Sequence, residues 1–209
     1  MYQIHPSLTL QKLFKEKPYQ GCCPIQAQYL FIGLDANYAA DIEQQTIFPK
    51  LLEYHQDGVA FWKKYNIHHP FLDSSYRGDG RKYHKNLEKI GLSSIHADKI
   101  SFIELLHLPT VGRSSLTMAD LDDKHLDFLN KAIFSQKKKA VFISDSVYRL
   151  IKKAKKIPFL ESPIHMEGTQ LKLYFNGQPK IFKHFHFSYQ YGKSNVLNQQ
   201  AKDIFKIII

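Results

Sequence analysis

Cysteine is the scarcest informative residue in this 209-residue sequence, and the two present, Cys22 and Cys23, are adjacent. Neighbouring residues seldom bridge as a structural disulfide, and two thiols cannot hold a four-thiolate iron–sulfur cluster. Reduced thiols in a reducing compartment are therefore expected. No stretch approaches the ~20 apolar residues that span a bilayer. Residues 1–17 (MYQIHPSLTLQKLFKEK) show no charged start followed by a long apolar core, so no secretory signal is read there. A cytoplasmic protein without a membrane partner follows as the expectation. Eleven histidines are scattered, and neither His68-His69 nor His184 with His186 is joined by Cys, Asp or Glu at zinc-like spacing. No metal and no cofactor are expected. Repeats and low-complexity tracts are also missing, and the length suits a single domain over residues 1–209 and a monomer.

Acidic residues are outnumbered, 19 Asp and Glu against 29 Lys and Arg, which leaves a formal charge of +10. That excess favours a polyanionic partner, nucleic acid before an anionic membrane surface. Solubility alone is the competing reading of the charge.

What is present is a succession of apolar runs that end in polar loops. Residues 29–38 (YLFIGLDANY) carry five nearly unbroken apolar side chains and then Asp35-Ala36-Asn37-Tyr38. An apolar run of strand length without alternation suits a strand covered on both faces, as in a parallel sheet. Ligands in open α/β sheets bind beyond the carboxyl ends of the strands, where Asp35 falls. Asp35 and Asn37 equally suit a turn or a helix cap.

Further strands are read at 99–106 (KISFIELL), 140–143 and 180–187 (KIFKHFHF), the last preceded by an Asn176-Gly177 hairpin signal. Helical periodicity is read at 8–15, 42–52, 59–65, 82–90, 120–135, 147–155 and 194–208. Ser7 and Asp57 are suited as caps, and Thr117 with Asp120 resembles a capping box. Lys137-Lys138-Lys139 reads as a solvated helix end. Glu104 interrupts its apolar strand, so it faces either a site or an exposed strand end. The longest turn-rich stretch, 66–81, holds Phe71, Tyr76 and Arg77, and a loop of that length is commonly functional. The alternating order implies a three-layer αβα sandwich around a central, mostly parallel four-stranded sheet.

Three of these strand ends resemble the uracil-DNA glycosylase superfamily. Gly33-Leu34-Asp35-Ala36-Asn37-Tyr38 is similar to its first motif, Gly-Gln-Asp-Pro-Tyr-His in the uracil-specific branch, and His186-Phe187-Ser188 is similar to its His-Pro-Ser motif. Residues 101–110 resemble the stretch where the family reads its base, and the resemblance runs over roughly 29–209. Ala36 and Asn37 replace the Pro-Tyr that lines the uracil pocket, Phe187 replaces Pro, and Glu104 falls at or beside the position that is Asn in uracil readers. An ionised Glu only accepts hydrogen bonds, whereas an Asn amide also donates, so a different deaminated or modified base is expected.

The resemblance implies a monofunctional DNA glycosylase of the base-excision type, acting on duplex or single-stranded DNA. In this reading Asp35 stabilises the cationic sugar and His186 the departing base. Asn37, Tyr38, Phe71 and Glu104 contact a flipped-out base, with Tyr76 as an alternative stacking ring. Arg113, Ser114, Ser188, Tyr189 and Lys193 contact the DNA. Two other functions stay open: a catalytically inactive nucleic-acid-binding module of the same fold, and an enzyme acting on a small nucleotide. Each residue also has a plain structural role open to it, His186 as a core histidine, Phe71 as a loop anchor and Ser188 as a turn residue.

Overall fold

The computed structural model of the chain describes residues 2–112, 115–155, 157–159, 161–188, 192 and 194–209. The chain begins with β1 (Gln3–Ile4), α1 (Leu8–Glu16), β2 (Tyr19–Gly21), β3 (Tyr29–Gly33) and β4 (Ala36–Tyr38). Helices α2 (Phe48–Gln56), α3 (Gly58–Tyr65) and α4 (Arg81–Glu88) follow, then β5 (Ile100–Glu104), β6 (Pro109–Val111) and α5 (Asp123–Ile133). The last third holds β7 (Ala140–Ser144), α6 (Asp145–Ala154), β8 (Ile164–His165), β9 (Lys172–Asn176), β10 (Lys180–His184) and α7 (Ser194–Ile208).

The main sheet has seven strands in the order β2-β5-β3-β7-β10-β9-β8, not the four expected. The four strands anticipated from the apolar runs lie side by side at its centre and are mutually parallel. Antiparallel β2 extends one edge, and antiparallel β9 and β8 extend the other. The additional strands β2 and β8 are two or three residues long, too short to carry a periodic signal.

Alternation along the central strands divides the core between two faces. Tyr29, Phe31, Ala140, Phe142 and Phe182 point to one face, where Trp62 of α3, Leu87 of α4 and the apolar side of α7 cover them. Leu30, Ile32, Val141, Ile143 and Ile181 point to the other, against α5 and α6. This is why the runs show no polar alternation: both faces are buried, and the sheet is sandwiched between two helical layers. On the first face four phenylalanines in register form a ladder across the sheet. Phe102, Phe31, Phe142 and Phe182 stack with successive centroid distances of 5.4, 4.9 and 5.7 Å.

Beyond the carboxyl ends of β3 and β5 the chain forms a second sheet, β1-β6-β4. The β3–β5 pairing continues for two residues, as Leu105 and Leu106 donate to the Gly33 and Leu34 carbonyls, and β4 then pairs with β6. A separate core of Leu10, Phe14, Tyr38, Ile42, Leu51 and Phe71 backs this sheet. Gly33, Asp35 and Glu104 sit at the break between the two sheets.

Caps fall close to expectation. Ser7 accepts from Leu10 N, and Asp57 accepts from Val59 and Ala60 N. Thr117 and Asp120 do form a capping box, but on a single 3-10 turn, and α5 starts later under Asp122. Strand β10 stops at His184, so His184 and His186 do not share a strand face. Lys138 overturns the reading of a wholly solvated Lys137–Lys139 run. It is fully buried before β7, and its Nζ donates to the Pro24 and Ala27 carbonyls at 2.7 and 2.6 Å.

Candidate functional site

A cavity of about 260 Å³ opens at the carboxyl end of β3 and β5 and is bounded by β4, α2, α4 and the segment after β10. Its floor is the end of the phenylalanine ladder, Phe31 and Phe102, with Leu87 beside it. Of the residues read from sequence, Asp35, Asn37, Tyr38, Phe71, Glu104, His186 and Ser188 all line it. Arg113, Ser114, Tyr189 and Lys193 lie outside the described residues.

Asp35 is half-buried, and its Oδ2 accepts from the Thr110 hydroxyl of β6. Thr110 Oγ1 in turn accepts from Asn37 Nδ2 at 3.0 Å, and the same amide donates to the Gly112 carbonyl at 2.6 Å. Asn37 is therefore exposed and committed to holding Thr110 and the loop after β6. Its amide donors thus hold Thr110, the partner of the Asp35 carboxyl, at the wall of the cavity where it was expected to contact a base. Tyr38 is buried and packs edge-on against Phe71 at 6.0 Å.

Glu104, at the last position of β5, pairs in register with Gly33. Its carboxyl lies over that glycine so closely that a Cβ at position 33 would sit 1.9 Å from Oε2. His125 of α5 donates from Nε2 to the Glu104 carbonyl at 2.8 Å and fixes the strand end. The carboxyl keeps contact with solvent through the cavity mouth but is surrounded by protein. Burial, and then the nearby Asp35 carboxylate, push its pKa up to about 8. Glu104 thus faces the site, not an exposed strand end.

His186 is half-buried two residues beyond β10. Its Nδ1 accepts from Ser188 N at 3.2 Å, so the neutral ring carries its proton on Nε2 and offers the cavity a donor. Burial lowers its pKa, opposed by the carboxylate of Asp35. Tyr83 of α4 holds the ring, 5.2 Å between centroids. Strand β7 separates β3 from β10, so Asp35 and His186 come from non-adjacent strands and converge across it. His184, by contrast, is buried against Phe187 and donates from Nδ1 to the Phe185 carbonyl, as a structural histidine.

Phe71 and Tyr76 stack on each other at 4.5 Å and 11°, and both are buried. Phe71 reaches the cavity wall; Tyr76 donates its hydroxyl to the Asp79 carbonyl and is not among the lining residues. Ser188 is exposed at the cavity rim.

Sequence reasoning missed the remaining wall. His68 and His69, read as loop residues, join His84 of α4, with His69 and His84 stacked at 3.6 Å. Burial lowers all three pKa values, His68 to about 3, so the three rings are neutral at pH 7. Tyr54 of α2 and Tyr83 complete the wall, their phenol pKa values raised by burial and, further, by Glu104. Tyr83 and His84 are adjacent in a helix whose other residues are mostly polar, so only their one-turn relation to Leu87 signalled an inward face. Among the described residues, no group of three or more His, Cys, Asp or Glu is placed to hold a metal ion.

The cavity therefore combines two carboxyl groups, one of them with a raised pKa, and an imidazole donor over an aromatic floor. No protein-family model matches the chain, and no curated protein matches it. Among the described residues, no helix is long and apolar enough to cross a membrane.

Proposed function

We propose that this chain is a monofunctional DNA glycosylase, similar in its strand-end motifs to the uracil-DNA glycosylase superfamily, that hydrolyses the N-glycosidic bond of a flipped-out, deaminated or otherwise altered base. The observation that carries this reading is the convergence of Asp35 and His186, remote in sequence, on one cavity with an aromatic floor.

Breaking an N-glycosidic bond builds positive charge on the sugar and negative charge on the leaving base. The Asp35 carboxylate, oriented by Thr110, stabilises the first and orients the attacking water. The Nε2–H of His186, fixed by the Ser188 amide, donates to the carbonyl of the departing base. A base stacked in a duplex is out of reach of so recessed a site, so it is extruded before reaction. Phe31, Phe102 and Phe71 give it an apolar seat, and the formal charge of +10 favours the phosphate backbone.

The test is incubation with duplex and single-stranded oligonucleotides carrying uracil, hypoxanthine, xanthine or alkylated bases. Alkali-labile abasic product from at least one of them, lost in Asp35→Asn, is the expected result. DNA binding without abasic product from any substrate would reduce the protein to a nucleic-acid-binding module.

A further inference from the structure

His186 is not the only imidazole in the cavity whose tautomer is fixed by the backbone. His69 stands immediately before Pro70, and a residue before proline is held extended; its φ and ψ are −154° and 143°. In that conformation it caps the short 3-10 turn Pro70–Leu72, and its Nδ1 accepts from Phe71 N at 3.1 Å. His186 does the same with Ser188 N, also two residues on, at 3.2 Å. A ring nitrogen that accepts from a backbone amide carries no proton, so the neutral ring of His69 has its proton on Nε2.

Three rings hold His69 in place. Tyr54 and Phe71 meet it edge-on at 4.8 and 4.6 Å, and His84 lies face to face with it at 3.6 Å. None of the three is anionic, so none draws a second proton onto the imidazole, and burial keeps both stacked histidines neutral. The nitrogen left over differs from Nδ1 of His55, which is shut inside the protein without a partner. His69 lines the cavity, and among the described residues its ring makes no hydrogen bond besides the one from Phe71 N. Its Nε2–H is a donor of fixed sense that opens on the cavity.

Resting on the glycosylase reading, we propose that His69 is a specificity residue that donates to the carbonyl which deamination leaves in place of an amino group. Uracil differs from cytosine in this one group, and hypoxanthine differs from adenine in the same way. The carbonyl accepts a hydrogen bond where the amino group donates one. An imidazole free to exchange tautomers would suit either, but His69 is not free. To meet an amino group it would move its proton to Nδ1, against Phe71 N–H, and leave that buried amide without an acceptor. Either that loss or a donor facing a donor disfavours the parent base by about 10- to 100-fold. His186 is left to donate to another acceptor of the same base, O2 in the case of uracil.

The experiment is calorimetric binding of free uracil and cytosine, and of free hypoxanthine and adenine, to the wild type, His69→Gln and His69→Asn at about pH 7. The wild type is expected to prefer the deaminated member of at least one pair by about 10- to 100-fold. Gln places near the position of Nε2 an amide that turns either way, so H69Q is expected to bind both members of that pair within about threefold. Asn keeps an acceptor for Phe71 N but offers the cavity no donor at that place. H69N should therefore lose affinity for the deaminated base and keep that for the parent. A readout that needs no variant is the imidazole ¹⁵N correlation spectrum of the wild type. His69 is expected there as the Nε2–H tautomer, with that resonance moved by the deaminated base and not by its parent. A preference retained in both variants, equal affinity within both pairs, or an Nδ1–H tautomer would overturn the proposal, as would failure of all four bases to bind. Discriminating binding without base release from oligonucleotides would count against hydrolysis and leave the role of His69 standing. Base release as selective in H69Q as in the wild type would do the reverse.

Discussion

Lys138 and Glu104 are both enclosed ionisable groups whose pKa burial drives toward about 8, from opposite directions and at opposite ends of the sheet. Lys138, just before β7, spends its ammonium on two backbone carbonyls, those of Pro24 and Ala27. Glu104, at the end of β5, has no such partner among the described residues and looks into a cavity beside Asp35. Desolvating a charge is costly in either place. At the amino end the protein itself supplies the compensating bonds, so the lysine ties the loop from Cys22 to Ala27 to the sheet. At the carboxyl end the polar groups line an open cavity. The difference is that Lys138 is tied to the protein's own carbonyls, whereas Glu104 opens on the cavity.

The sharpest way to break this distinction is at Asp35 and His186, the pair proposed to hydrolyse the bond. Asp35→Asn is expected to lower single-turnover base release by about 10²–10⁴-fold, and His186→Ala by about 10²–10³-fold, with oligonucleotide affinity changed only a few fold. Lys138→Met leaves two carbonyls unpaired and should cost about 2–4 kcal/mol in urea unfolding, while base release per folded molecule stays the same. A comparable loss, about 3 kcal/mol, is expected on acidification to pH 4 from His68 alone. Its folded pKa of about 3 lies below the ordinary histidine value of 6.5. The unfolded chain therefore binds the extra proton, and stability falls as pH drops through that window; His68→Gln should flatten the slope in pH-dependent melts.

Glu104 has the opposite sign. Its folded pKa of about 8 exceeds 4.5, so the folded state holds the extra proton between those values and stability falls as pH rises across them. Glu104→Gln should gain on the wild type through that range, on the order of 2 kcal/mol by pH 9 once its partial solvent contact is discounted. Gly33→Ala should have the smallest effect on stability, about 1 kcal/mol, because the atom met by the new methyl is the movable end of Glu104. It should nevertheless weaken hypoxanthine binding severalfold by displacing that carboxyl.

How much of this was legible depended on how far each signal reached along the chain. The four central strands stand out as apolar runs because both of their faces are covered. Asp35, Glu104 and His186 stand out as polar residues where such runs end. The short strands β1, β2 and β8 carry too few residues for periodicity, and their pairing is decided by tertiary contact. The hold of Asn37 on Thr110 and Gly112 is illegible in the sequence because those partners are brought to it only by the pairing of β4 with β6. Lys138 was misread because a lysine beside two others looks solvated until the carbonyls that receive it are in place. The wall of His68, His69 and His84 was illegible for the same reason: imidazoles from a loop and a helix become one surface only on folding.

In the proposed function the carboxyl-end cavity, and not the lysine-tied amino end, receives a nucleobase. Titration of ¹⁵N-labelled protein with free hypoxanthine at pH 6.5 tests it most directly, read from the amide and imidazole resonances. Saturable shifts concentrated at Gly33, Asp35, Glu104 and His186, with Cys22, Cys23 and Lys138 unmoved, are the predicted result. Shifts confined to the amino end, or an unchanged spectrum at saturating base, would contradict it.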